Sequence, residues 1–117
     1  MKQQLENIEV IIIGGNHINA LGVMRSLGEK GIKSFYIMTS PDQSYCKKCK
    51  YIKKYWAIKE EENEILNILR NEINFRNKRI YLIPTSDFAA FVLDKNFNEL
   101  SNKYILPNID NKEGEIL

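Results

Sequence analysis

Val10, Ile11, Ile12 and Ile13 form an unbroken β-branched run that stops at Gly14-Gly15 and passes through Asn16-His17 into a helical repeat. Branched side chains restrict χ1 and pack well on a pleated surface, so the run predicts a strand buried on both faces. Glycine gives a turn freedom of φ and lets another group approach the backbone. The helix behind it presents unpaired N–H groups and a partial positive charge. A corner of this kind is a ready anion site.

Ala20, Val23, Met24 and Leu27 follow at helical spacing, and Lys30 and Gly31 supply stop signals. Residues 32–38 predict a second strand. Residues 39–50, with Pro41, Asp42 and Ser44, predict a loop, and 51–58 an amphipathic strand with its lysines toward water. A helix is expected over 61–75, with Ile65, Leu66, Leu69 and Ile73 on one side and Glu61, Glu62 and Glu64 in its first turn. Residues 79–84 predict a fourth strand. Thr85, Ser86 and Asp87 are cap formers before a helix carrying Ala89, Val92, Leu93 and Phe97, and 104–106 predict a short last strand. This alternation points to the α/β class: a Rossmann-like, three-layer α/β/α domain with a mainly parallel sheet and right-handed connections. Such sheets bind ligands at the carboxyl ends of their strands, where connections diverge. Two corners qualify, Gly14, Gly15, Asn16 and His17 after the first strand and Thr85, Ser86 and Asp87 after the fourth. They are expected to share a pocket.

With 117 residues and 44% hydrophobic content, the chain suits one domain. A net charge of +2 sets up no global field for nucleic acid. The apolar run at 10–13 is far too short for a membrane span or a signal-peptide core, so a soluble cytoplasmic protein is expected. Cys46 and Cys49 are too few for a disulfide scaffold.

A dinucleotide site asks for Gly-x-Gly-x-x-Gly. Counted from Gly14, the second and third glycine positions hold Asn16 and Asn19; counted from Gly15, they hold His17 and Ala20. The acidic residue that would hold a ribose is missing as well, because Met38, Thr39 and Ser40 end the second strand. No Gly-Lys-Ser/Thr follows the turn, which rules out a Walker loop.

Ile12-Ile13-Gly14-Gly15 with a helix behind it, Ser44-Tyr45 before Lys47-Lys48, Ile83-Pro84-Thr85-Ser86-Asp87 and the closing Ile105-Leu106-Pro107 stand in a telling order. In this order the chain resembles the N-terminal, pre-ATP-grasp domain of ATP-grasp carboxylate–amine ligases and carbamoyl-phosphate-synthase-like proteins. The resemblance implies a Rossmann-like domain over 1–107, with 108–117 beginning a linker to ATP-grasp domains that lie outside this sequence. It implies that ATP and Mg2+ bind between those later domains, so that these residues hold neither cofactor. It also implies that this domain walls the site for a small carboxylate or amine substrate. An acylphosphate would form on the carboxylate and an amine attack it, in the full-length enzyme and not in this fragment alone.

Each site residue also has a plainer role. Gly14 and Gly15 serve any strand-to-helix turn, Asn16 suits an N-cap, and one of Thr85, Ser86 and Asp87 must cap a helix, leaving the other two for a substrate. His17 sits at the carboxyl edge, where ligand contact is expected, and lacks a second imidazole for a metal. Cys46 and Cys49 lie in a polar loop, a poor setting for redox work or zinc. Lys47, Lys48, Lys50, Lys53, Lys54 and Lys59 interleave with Tyr45, Tyr51, Tyr55 and Trp56, a pattern that can hold single-stranded nucleic acid. It also describes a protected edge strand. The competing readings are a stand-alone Rossmann-type small-ligand or nucleotide-binding module and, less favoured, a single-stranded nucleic-acid binder. A homodimer is left open.

Overall fold

The structure is a computed structural model and describes residues 7–15, 18–39, 49–75 and 78–106. Four strands, β1 (Ile8–Gly14), β2 (Ser34–Met38), β3 (Ile52–Ala57) and β4 (Arg79–Pro84), build one sheet. Their order is β3-β2-β1-β4, and every neighbouring pair is parallel. The helices are α1 (Ile18–Glu29), α2 (Glu62–Asn67), α3 (Asp87–Lys95) and α4 (Phe97–Leu100), and α2 runs on into a π-helical turn over Ile68–Glu72. This is the α/β, Rossmann-like architecture expected from the order of elements.

β1 lies inside the sheet, which is why its apolar run shows no polar alternation. Ile11 and Ile13 face a large core with Ile37, Leu69, Leu82 and Val92, while Val10 and Ile12 face a smaller one with Ala20, Met24, Tyr36 and Met38. Fully burying one isoleucine side chain is worth roughly 1.5–3 kcal/mol, so this strand anchors both layers. Among the described residues, α1 covers the smaller core, and α2, α3 and α4 contribute to the larger.

α1 ends as Gly31 predicts. Gly31 has φ +92°, its N–H donates to the Gly28 carbonyl at 3.0 Å, and the Ile32 N–H reaches back to the Leu27 carbonyl at 3.0 Å. This Schellman end uses up Ile32, so β2 begins at Ser34 rather than at 32. The helix expected to 75 stops short. Its last turn widens because Leu69 and Ile73 offer their carbonyls to Lys103 Nζ, and Leu69 also accepts from the Tyr104 hydroxyl. Burial pushes the Tyr104 phenol up, which keeps its proton in place to donate. The helix expected through Phe97 breaks at Asn96, whose Nδ2 donates to Val92 O at 2.9 Å and to Glu62 Oε2 at 3.0 Å. The last strand reduces to one parallel bridge between Ile105 and Tyr81. The expected linker, 108–117, lies outside the described residues.

At the amino end of the sheet, Glu9 is buried with only 7% of its surface exposed. It accepts from Lys53 Nζ at 2.8 Å and has Lys78 Nζ at 3.7 Å, so its charge is paired from both flanks. Lys53 and Lys54 on the edge strand are exposed, as expected.

Candidate functional site

Strand order reverses at β1: the chain leaves it toward β2 on one side and returns as β4 on the other. The carbonyls that end β1 are held from both sides. Ile13 O accepts from the Thr85 N–H at 2.8 Å and from Thr85 Oγ1 at 3.2 Å. Gly14 O accepts from the Thr39 N–H at 2.9 Å, and Gly15 O from the Tyr36 hydroxyl at 2.6 Å. Gly14 itself belongs to the strand, and its φ is not positive. Its value is steric, because a Cβ there would lie 2.0 Å from Thr85 Oγ1. The glycine makes room for the neighbouring corner, where turn freedom was expected.

Ser86 has extended backbone angles, φ −142° and ψ 160°, and its side chain accepts from the Ala89 N–H at 3.2 Å. It is the N-cap of α3. Asp87 takes the first helical position, exposed, where a negative charge is favourable to the helix dipole. An open cleft of about 450 Å³ lies here, lined by Val23 of α1 and by Pro84, Thr85, Ser86, Asp87 and Ala90.

The two corners therefore touch at Gly14 and Thr85. The cleft opens beside that contact, toward α1 and α3, and Gly14 is not among its described lining residues. With Ser86 as the cap, Thr85 and Asp87 are the two left for a substrate, and the Thr85 hydroxyl, which donates to Ile13 O, has only lone pairs to offer one. The Asp87 side chain has no hydrogen bond or ion pair among the described residues. Asn16 and His17 lie outside the described residues. Sequence reasoning missed Tyr36, fully buried, whose hydroxyl fastens the turn. Its signal in sequence is only that of a strand former; pairing opposite Ile12 is what brings the phenol beneath the glycines. Thr39 is also buried at this rim, and its hydroxyl has no partner among the described residues.

Tyr45, Cys46, Lys47 and Lys48 lie outside the described residues. Cys49 packs against the α1-side core. Tyr51 rests against α1, where a Cβ on Gly28 would meet its ring at 2.1 Å. Trp56 packs on the larger core with its ring 6.2 Å from that of Phe35, and Lys54 Nζ lies 4.9 Å from the Trp56 centroid. Two of the rings that could stack on bases thus serve packing. Among the described residues, no group of three His, Cys, Asp or Glu side chains is placed to hold a metal ion, and no helix is long and apolar enough to cross a membrane.

Set against family models, curated proteins and solved structures, the chain finds no match in any of the three comparisons. Fold and rim together define a Rossmann-like α/β domain with a polar corner at its switch point.

Proposed function

We propose that this chain is the substrate-side domain of an ATP-dependent carboxylate–amine ligase of the ATP-grasp type. The observation that carries the reading is the contact of the Gly14-Gly15 and Thr85-Ser86-Asp87 corners at the reversal of strand order, beside an open cleft and without a dinucleotide fingerprint. In this reading the domain binds and orients. The turn is a rigid wall because its carbonyls are tied to Thr85, Thr39 and Tyr36. The cleft beside it takes one substrate, and the buried Thr39 hydroxyl gains most from a water or ligand atom on the β2 side. ATP and Mg2+, held by further domains, would supply activation of the carboxylate by phosphoryl transfer; the described residues offer no metal cage of their own.

The test is the coding sequence beyond Leu117, followed by assay of the whole enzyme. A glycine-rich lid and late acidic metal ligands are expected there, with ADP release that requires both an acid and an amine. A stop codon directly after Leu117, or ADP release indifferent to both substrates, overturns the reading.

A further inference from the structure

We infer that the cleft between α1 and α3 receives the amine substrate, as its ammonium form on a short aliphatic stem, rather than the carboxylate; this rests on the ligase reading above. The lining decides it. Ser86 already spends an acceptor position on the Ala89 N–H, and Thr85 spends its proton on Ile13 O. What Thr85 has left to offer is a lone pair. Asp87 contributes an acceptor-only carboxylate, exposed and unpaired among the described residues. No lysine, arginine or histidine stands among the described lining residues. An ammonium group brings three donors and a positive charge to the Asp87 carboxylate and the Thr85 lone pair, and the Ser86 hydroxyl, which keeps its own proton, can still accept through its second lone pair. A carboxylate would meet like charge at Asp87, and the partial charge of a helix N-terminus, roughly half an elementary charge, does not offset a full one. Val23, Pro84 and Ala90 supply the apolar wall against which an alkyl stem can lie.

The experiment follows the amide resonances of Ser86, Asp87, Phe88 and Ala90 in the isotope-labelled 117-residue chain. Two matched probes are titrated: glycinamide, an ammonium without a carboxylate, and N-acetylglycine, a carboxylate without an ammonium. Glycinamide is expected to shift these amides, with binding weakened about tenfold by Asp87→Asn and largely kept by Asp87→Glu, the loss of one charge-assisted contact. N-acetylglycine is expected to do no more than matched salt. The same spectra report whether each variant is folded, so loss of binding is not mistaken for loss of structure. Glycinamide binding unchanged in Asp87→Asn, or silence of both probes at these amides, overturns the inference. So does N-acetylglycine binding that tightens in Asp87→Asn, which leaves the ligase reading standing with the substrates exchanged. NADH moving the same amides removes both.

Discussion

Gly14 and Thr85 are chemically coupled positions, although 14 and 85 look unrelated along the chain. Gly14→Ala drives a methyl group into Thr85 Oγ1 and is expected to cost about 1–3 kcal/mol, the usual range for overpacking. Thr85→Ala alone should cost about 0.5–1.5 kcal/mol for the lost hydroxyl contact to Ile13 O. Combined, the two should cost less than their sum, because the second change removes the atom the first one strikes; denaturant melts of the four proteins measure this coupling. Tyr36→Phe leaves the Gly15 carbonyl without its donor and should destabilise by about 1–3 kcal/mol in the same melts. Gly22 gives the opposite result. It is an exposed residue inside α1 with nothing within 4 Å of a Cβ position, so Gly22→Ala is expected to stabilise by about 0.5–1 kcal/mol.

At the scale of elements, charged clamps hold the helices on the larger core in register. Asn96 Nδ2 and Lys95 Nζ, at the end of α3, bind the Glu62 carboxylate at the start of α2 and hold it below its ordinary value of 4.5. The Arg70 guanidinium, bonded through two nitrogens at 2.6 and 2.7 Å, does the same for Glu99 on α4. Both folded-state values lie below the unfolded ones. Their contribution is therefore present above the ordinary carboxylate value and is lost as pH falls through the lower folded values. Glu99 is exposed and Glu62 only partly buried, so solvent screening keeps the effect small. Thermal melts should show these clamps contributing unchanged from neutral pH down to about pH 5 and weakening below it. The double variant Glu62→Gln, Glu99→Gln should show a shallower acid decline. The acidic first turn was legible as helix chemistry, but these partners were not. The π-helical turn was equally hidden, since Ile65, Leu66, Leu69 and Ile73 satisfy an ordinary helical period and the groups that widen the turn, Lys103 and Tyr104, lie about thirty residues on.

For the molecule as a whole, β1, β2 and β4 were legible because each is a dense apolar run bounded by strong punctuation, β3 because its exposed lysines mark an amphipathic edge strand, and the end of α1 because Gly31 is read locally. The rim was legible only in part. Ser86 declared itself as one of three cap formers, whereas the Gly14–Thr85 contact and the Tyr36 clasp depend on strand pairing that no local pattern contains. The missing glycines of the dinucleotide fingerprint carry a prediction at this scale: NADH fluorescence should show no saturable uptake by the chain. Likewise, with Lys53 committed to Glu9 and Trp56 to packing, a single-stranded oligonucleotide should show no salt-sensitive association at low ionic strength.

The interior position of β1 also bears on how the chain is made. Tyr36 meets Gly15 across 21 residues, but Thr85 meets Ile13 across 72. During synthesis from the amino end, the isoleucine strand gains one flank early and waits for most of the domain to emerge before the other flank closes. Until then its outer edge is a sticky, unsatisfied ribbon, and late long-range pairing of this sort is slow. The nascent chain passes through an interval in which it is most exposed to self-association, and that interval ends when β4 docks.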